Sequence, residues 1–297
     1  MRKKRPFLLA GLTLGGIFLF FLLVVLTAGL FRDGSSVVSV GAKVGVLEVT
    51  GAIEDTREII GQIDRFRQQG SIKAVVLRIN SPGGAVGPAQ EIYAELQRLA
   101  VAKPLIVSMG SVAASGGYYL ALAGERLFAN PGTITGSIGV IMTFPDYREL
   151  MDKVGVRTQV VKSGRYKDIG SSTRELTESD RHLLEQLIED VHQQFVEVVS
   201  KQRQLPPEQL KTYVDGRIMT GRQAHRAGLI DEIGTFNDAV AYAARRAGLD
   251  PEPDLVFPQP SKINFWERYL PEQISRVLGI RGAKFPTLGP QYLWSGY

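Results

Sequence analysis

After the first 42 residues, segments with the apolar pattern of a strand alternate with segments that have the apolar spacing of a helix. Runs rich in β-branched residues predict strands near 43–50, 73–79 and 104–109. Between these runs, apolar residues recur every three or four positions and predict helices near 56–69 and 88–100. Strands that alternate with helices are typical of α/β proteins, so we expect an α/β fold.

The second half of the chain carries a longer helical pattern. A Gly-rich segment at 110–117 is expected to lead into a short helix. Apolar residues then recur at helical spacing from Glu178 to Lys201, with Thr177 as the expected N-cap. The other expected elements are apolar stretches near 126–129 and 134–143, a strand near 157–162, and helices near 207–214, 221–227 and 236–247.

Residues 7–31 form an uncharged apolar stretch of about 25 residues, and about 20 residues suffice to cross a bilayer as a helix. A cleaved secretory signal has a shorter apolar centre and a small-residue cut site, for which residues 27–29 are candidates. The length favours an uncleaved transmembrane anchor. Four basic residues at 2–5 are expected to hold that end in the cytoplasm. The chain is thus predicted to be a single-pass cell-membrane protein with an extracytoplasmic body.

These patterns divide the chain into five segments. They are a cytoplasmic basic flank at 1–6, a transmembrane anchor at 7–31, a linker at 32–42, a folded domain at 43–248 and an arm at 249–297. The arm is rich in proline, which predicts an extended segment with one amphipathic helix near 265–278. Three placements of the arm remain open: on a neighbouring subunit, on the membrane surface, or against the folded domain.

Composition removes several classes of chemistry. The 297 residues include no cysteine, which excludes disulfides, thiolate nucleophiles and lipid-modified cysteines. The net charge is +5, but four positive charges lie in the N-terminal flank, so nucleic-acid binding is not expected. No metal or cofactor site is predicted, because the His-Glu-x-x-His spacing and the phosphate-loop motifs are missing from the sequence.

The three histidines do not favour a Ser/His/Asp triad. His182 and His192 lie in the long helical pattern and His225 lies in a short one, where we expect solvent-exposed positions. A lysine can replace histidine as general base when burial and nearby dipoles bring its pKa towards neutrality. A serine paired with a lysine is therefore the expected chemistry.

Ser115 is the best-placed nucleophile, because it follows an expected buried strand and begins a helix among small residues. Gly116 after it offers a free amide at the helix start. A second Gly-rich loop also follows a strand, and it contributes Gly84, with Gly83 as the near alternative. Two amides that converge on one oxygen make an oxyanion hole, so Gly84 and Gly116 are the expected donors.

The spacing leaves the identity of the base open. Lys153, Lys162 and Lys167 all lie downstream of Ser115, and the last two follow the strand expected near 157–162. A lysine base is brought to the serine in space, so distance along the sequence does not select among them. An exposed surface position is the ordinary alternative for each.

Five motifs, in order, resemble the signal peptide peptidase A family over about residues 43–248. They are NSPGG at 80–84, SVAASGGYY at 111–119, TGSIGV at 135–140, KSGRYKD at 162–168 and AHRAGLID at 224–231. The resemblance implies a Clp-protease/crotonase-like fold, a spiral of ββα units. By match to these motifs, it implies Ser115 as nucleophile, Lys167 as base, Gly84 and Gly116 as oxyanion donors, and Ser137 as the residue that orients the lysine.

The resemblance also implies a biological setting. Family members form homo-oligomeric rings in which serine and lysine meet across a subunit boundary, and they degrade signal peptide remnants and other short unfolded peptides. One copy of the motifs indicates the short form of the family, with one catalytic unit. Two alternatives stay open: an acyl-CoA-utilising crotonase-like enzyme, which shares the fold, and a non-catalytic membrane scaffold.

Overall fold

A computed structural model describes residues 15–20, 23, 41–258 and 289–294 of the chain. Backbone contacts divide the chain into two units, residues 1–41 and residues 42–297. In the first unit, residues 15–20 are helical. Within the described ranges, no helix has the length and apolarity that crossing a bilayer requires. Most of the predicted anchor at 7–31, nearly all of the linker at 32–42 and the helix expected near 265–278 lie outside the described residues.

Eight strands of the described chain form one sheet, and two more form a small second sheet. The main sheet has the order β7-β6-β4-β2-β1-β9, with β5 on β4 and β8 on β5. All its pairings are parallel except β6 with β7. The strands are β1 (Lys43–Thr50), β2 (Ile72–Ser81), β3 (Gly83–Ala85), β4 (Leu105–Ala114), β5 (Arg126–Ala129), β6 (Ile134–Gly136), β7 (Ile218–Thr220), β8 (Glu232–Ile233), β9 (Leu255–Val256) and β10 (Gln291–Leu293).

Helices connect the strands and cover the sheet. The longer helices have apolar residues spaced for one buried face, and the helix that begins at Glu178 starts with a capping box between Thr177 and Asp180. The helices are α1 (Arg57–Gln68), α2 (Val86–Ala102), α3 (Gly116–Ala121), α4 (Arg148–Lys153), α5 (Glu178–Arg203), α6 (Pro207–Leu210), α7 (Gly221–Arg226) and α8 (Phe236–Arg246). The predicted α/β class is confirmed, and the main sheet is largely parallel.

The core lies on both faces of the sheet because successive strand residues point to opposite sides. In β2, Val75 and Leu77 belong to the larger apolar cluster, which also contains α2 and α3 residues. Val76 between them belongs to a second cluster with Ala239 and Ala243 of α8. The central strands are therefore buried on both sides, which fixes the strand ends that carry the candidate site.

Strand β4 pairs with two different strands along its length, in addition to β2. Its first part, Ile106–Met109, pairs with β5, while its last part, Val112–Ala114, pairs with β6. The Gly-rich segment expected to leave the strand at residue 110 instead continues as strand to Ala114. The fork places the end of β4, and thus Ser115, between β2 on one side and β6 on the other.

The prediction of a strand near 157–162 is wrong. These residues form no regular element. Valine-rich composition favours a strand, but a strand also needs a neighbour that satisfies its backbone, and no pairing of this segment occurs within the described residues. Val161 is fully exposed at 102%. The segment belongs to a loop that runs from the end of α4 to the start of α5.

Candidate active site

Ser115 lies in the sharp turn between β4 and α3. Its backbone angles, φ 52° and ψ −117°, fall where residues with a side chain are rarely found. The turn is held from both ends, because the Ser115 amide donates to the Gly136 carbonyl at 2.8 Å and its carbonyl accepts from the Tyr119 amide at 2.8 Å. The residue is 1% exposed. Its hydroxyl Oγ is buried and has no hydrogen-bond partner among the described residues.

The glycine loop after β2 packs directly against this turn. The Ser81 hydroxyl accepts a hydrogen bond from the Gly83 amide at 3.1 Å, and the Asn80 side chain accepts one from the Val112 amide at 3.2 Å. A Cβ on Gly84 would lie 2.1 Å from the Ile53 carbonyl oxygen, so no side chain fits there. The bracing roles of Asn80 and Ser81, and the contact with Ile53, were not expected from the sequence.

The amide of Gly84 faces the edge of β3 that is opposite Ile53. Ile53 donates to the Gly83 carbonyl at 2.9 Å and accepts from the Ala85 amide at 2.8 Å. Since successive amides of a strand face opposite edges, the Gly84 N–H faces the other edge of β3. A Cβ on Gly116 would lie 3.3 Å from the Gly84 nitrogen. The structure thus brings Gly84 and Gly116 close together beside Ser115, and their role as oxyanion donors stays a prediction.

Ser137 follows β6 immediately beside this turn. It has φ 51°, is 7% exposed, and donates its amide to the Arg217 carbonyl at 2.7 Å. The preceding residue, Gly136, accepts the hydrogen bond from the Ser115 amide. Ser115 and Ser137 therefore both have positive φ and lie at the ends of neighbouring strands. The hydrogen bond between those ends joins the Ser115 amide to the residue before Ser137. Ser137 therefore lies next to the turn that carries Ser115.

Lys167 lies on the surface of the loop between α4 and α5 and is solvent-exposed. It makes no hydrogen bond with the Ser115 hydroxyl within the described chain. The neighbouring Lys162 is engaged elsewhere: its ammonium binds the Asp168 carboxylate at 2.7 Å and the Arg165 carbonyl at 3.0 Å. The approach of Lys167 to Ser115 across a subunit boundary stays a prediction.

Ion pairs fix this loop to the start of α5. Arg174 binds Asp168 at 2.8 Å and Asp180 at 2.6 Å. Hydrogen bonds from Arg174, and then from Lys162, hold the pKa of Asp168 well below its usual range. The Arg174 guanidinium likewise lowers the pKa of Asp180 to about 2. Asp168 is next to Lys167 in sequence, so this network positions the backbone that carries the lysine.

Strand β10 lies against the glycine loop and was not predicted. It pairs with β3 in antiparallel register, and Gln291 also pairs with Ile141. Beside it is a cleft of about 360 Å³ lined by Ser137, Ile141, His192, Leu293 and Trp294, among others. His192 was expected to be exposed. It is instead partly buried, and its ring nitrogen Nε2 has no hydrogen-bond partner among the described residues.

The other two histidines are exposed, as expected. No cluster of three or more His, Cys, Asp or Glu side chains suited to a metal ion occurs in the described part of the chain.

Comparison with protein families matches the "Peptidase family S49" model to residues 97–250, about half of the chain. The chain belongs to peptidase family S49. A second model, "Clp protease", matches residues 37–133 of this S49 peptidase. The two matches together contain all five predicted site residues.

Several relatives of the S49 peptidase carry protease names. It is 44% identical over 211 residues to a candidate protease of Synechocystis sp., covering 71% of this chain and 76% of the relative. It is 33% identical to the chloroplastic serine protease SPPA of Arabidopsis thaliana, covering 75% and 34%. It is 34% identical to a candidate signal peptide peptidase of Enterococcus faecium, covering 67% and 62%. The match thus spans about a third of the Arabidopsis protein.

Proposed function

We propose that the chain is a membrane-anchored serine endopeptidase with Ser115 as nucleophile and Lys167 as general base. The observation that carries the proposal is the buried hydroxyl of Ser115, which has no hydrogen-bond partner in the described part of the chain and lies on a strained turn beside two glycine backbones. A buried hydroxyl normally has a hydrogen-bond partner, and strained backbone persists where function requires it. Membership of a peptidase family supports the same conclusion.

The reaction follows from the chemistry of these groups. The Ser115 oxygen attacks the carbonyl carbon of a peptide, and its proton passes to the neutral amine of Lys167. The amides of Gly84 and Gly116 stabilise the negative oxygen that develops on that carbonyl. The protonated amine then delivers the proton to the leaving peptide nitrogen. Water, activated by the same lysine, hydrolyses the acyl-enzyme and regenerates the serine.

The base is proposed to come from a neighbouring copy of the chain in a homo-oligomeric ring. In support, Lys167 is exposed on a loop that is braced at Asp168, and Lys162 is bound to that same carboxylate. In this arrangement Ser137, at the adjacent strand end, accepts a hydrogen bond from the incoming lysine and orients it. The Ser115 hydroxyl would then gain its missing partner on assembly.

The substrates are proposed to be short unfolded peptides, including signal peptide remnants left in the membrane. The uncharged stretch at 7–31 supports a membrane anchor, and the basic residues at 2–5 support an extracytoplasmic catalytic domain. The Enterococcus faecium relative is named for signal peptides. No nucleic acid takes part in this function.

Peptide hydrolysis by the full chain in detergent, compared with Ser115→Ala and Lys167→Ala, tests the dyad. Each substitution is expected to lower kcat by about a thousandfold or more, because the two groups act as one unit. Lys162→Ala is the matched control and should keep most of the activity. Full activity of the Lys167→Ala variant would reject that lysine as base.

Mixing the two inactive variants tests where the base comes from. If subunits exchange at random, about a quarter of the sites combine an intact serine with an intact lysine from the neighbour, so activity should return to that level. No recovery after verified exchange would assign the base to the same chain. A fluorophosphonate probe that labels wild type but not Ser115→Ala excludes a non-catalytic scaffold, and tight coenzyme A binding would point to crotonase chemistry.

A further inference from the structure

Two of the five sequence motifs contact each other behind the candidate active site. The motif at 224–231 supplies no group to the proposed reaction, but it contacts α3, the short helix that begins immediately after Ser115. Tyr118 in this helix is fully buried, and its hydroxyl donates to the Leu229 carbonyl at 2.8 Å. The turn with the candidate nucleophile is thus joined to a segment that lies 111 residues beyond Tyr118 in the sequence.

Helix α3 is too short to hold its own position. It spans six residues, and a helix of that length has few internal hydrogen bonds to offset the entropy lost on ordering it. The amide of its first residue, Gly116, is one of the two proposed oxyanion donors. A group in such a site must be held within about 0.5 Å of its working position. Contacts from outside the helix must therefore fix its start.

The side of α3 that faces the glycine loop is held by close packing. A Cβ on Gly117 would lie 2.7 Å from the Ser81 carbonyl oxygen, and one on Gly116 would lie 3.2 Å from the Gly83 Cα. Packing of this kind limits how closely the helix approaches the loop, but it has no preferred direction. A hydrogen bond does have one, so the Tyr118 hydroxyl supplies the directional contact that the glycines lack.

The carbonyl that accepts this hydrogen bond is itself fixed. Gly228 has φ 73°, and the Leu229 amide donates to the Ala224 carbonyl at 2.9 Å, which closes the turn after α7. Arg203, the last residue of α5, donates its Nε to the Gly228 carbonyl at 3.0 Å. Its guanidinium also binds both carboxylate oxygens of Asp231, at 2.8 and 3.0 Å. The Leu229 carbonyl is therefore held from both sides.

The Arg203–Asp231 ion pair is well shielded from water. Its side chains are only 10% and 19% exposed, and Asp231 also accepts a hydrogen bond from the Leu127 amide of β5 at 2.8 Å. Bidentate pairs of this kind have a defined geometry. Burial raises the pKa of Tyr118 above its usual range, so its hydroxyl keeps the proton that it donates. Donor and acceptor are thus both well defined.

We propose that Tyr118 is a positioning residue of the peptidase: anchored through Leu229 to the Arg203–Asp231 pair, it holds the start of α3 so that the Gly116 amide points at the developing oxyanion. This rests on the proposed function for the role of Gly116. Tyr118 is fully buried, so it acts on the reaction only through the helix. Its effect belongs to the transition state, in which the oxygen is negative, more than to the bound substrate.

Hydrolysis of a peptide by Tyr118→Phe, which keeps the ring and removes the hydroxyl, tests the proposal. We expect kcat to fall roughly tenfold to a hundredfold with KM within about twofold of wild type, because a displaced amide weakens transition-state stabilisation. The affinity of a peptide aldehyde should fall by the same factor as kcat/KM, since addition of the Ser115 hydroxyl to the aldehyde places an oxygen at the same amides. A smaller amount of folded enzyme would lower kcat but leave the aldehyde inhibition constant unchanged.

Two further variants separate positioning from general damage to the fold. Ser200→Ala also removes a hydroxyl that donates to a backbone carbonyl, that of Leu205 at 2.7 Å, and it should keep both kinetic constants within about twofold. Arg203→Lys keeps the charge without the forked geometry and should repeat the effect of Tyr118→Phe. Since both changes act through the same carbonyl, kcat of the double variant should fall by less than the product of the single effects.

Wild-type kcat and aldehyde affinity in Tyr118→Phe would overturn the proposal, as would a raised KM with unchanged kcat. Single effects that multiply in full in the double variant would also overturn it. If Tyr118→Phe does not fold, Arg203→Lys gives the same test. In each of these cases an inactive Ser115→Ala variant leaves the proposed peptidase standing. Full activity of Ser115→Ala would instead reject the proposed function and this inference with it.

Discussion

Ser115 combines a strained backbone with the side chain that is proposed as the nucleophile. At φ 52° and ψ −117° the Cβ is crowded, and such conformations cost about 1–3 kcal/mol per residue. Glycine adopts them without this penalty, although it loses more freedom on folding. Evolutionary replacement by glycine would relieve the strain but remove the hydroxyl. The residue is thus a place where stability and chemistry conflict.

Ser115→Gly should therefore raise the free energy of unfolding by about 1 kcal/mol relative to Ser115→Ala, because alanine keeps the crowded Cβ. Both variants should lack peptidase activity. Thermal or urea unfolding of the two proteins in the same detergent measures the difference. Equal stability of the two variants would show that the turn at 115 carries no strain in solution.

Close backbone contacts at the candidate site could be predicted from the sequence, because they have a local signature. Small residues around Ser115 and the paired glycines at 83 and 84 predict that backbone segments approach each other closely there. The structure has close backbone contacts at both places. Tyr292 has no such signature, because its burial beside the glycine loop depends on which strand lies opposite. His192 was misjudged for a related reason: helical spacing predicts the face of a helix but not the cleft that a distant segment builds beside it.

Whole elements show the same division between local and non-local information. Helix α5 was predicted almost to its ends, because a long amphipathic repeat and a capping box are both local signals. The segment at 157–162 has the composition of a strand, but it pairs with no described strand. Strand β10 pairs with β3, although its composition is not typical of a strand. Strand formation depends on neighbours distant in sequence, so composition alone misleads in both directions.

The start of α5 should respond to acid through Asp180. Its pKa lies at about 2, below the ordinary 3.8, because Arg174 and the Thr177 cap favour the carboxylate. A depressed pKa stabilises the folded state above the ordinary pKa, and that stabilisation is lost as the pH falls from about 4 to about 2. The loop that carries Lys167 shares Arg174, so its attachment should weaken in the same range.

Thermal unfolding between pH 5 and pH 2 measures this dependence. Asp180→Asn should flatten the part of the stability profile between about pH 4 and pH 2, since the variant has no proton to gain there. Asp190 on the same helix accepts a hydrogen bond from the Gln194 side chain at 2.9 Å, and Asp190→Asn is the matched control. An Asp180→Asn profile that superimposes on wild type would contradict the assignment.

At the scale of the molecule, one region within residues 42–297 carries more exposed large apolar side chains than any other described part of that unit. A run of large apolar side chains between residues 141 and 166 is 38–102% exposed: Ile141, Tyr147, Leu150, Val154, Val156, Val160, Val161 and Tyr166. Contiguous apolar surface on a soluble domain commonly marks an interface. Five of these residues, from Val154 to Tyr166, lie in the loop that carries Lys167, so a contact between copies here is consistent with the proposed shared active site.

Val161→Glu tests this interface at its most exposed position. A charge buried against an apolar partner surface opposes association, so the variant should shift the proposed oligomer towards smaller species and lose peptidase activity in parallel. Val101 on α2 is 91% exposed and lies outside the apolar run, which makes Val101→Glu a control of equal chemistry. Sedimentation in detergent gives the mass of each protein. An unchanged mass for Val161→Glu would move the interface elsewhere, whereas dissociation with full activity would show that each chain completes its own dyad.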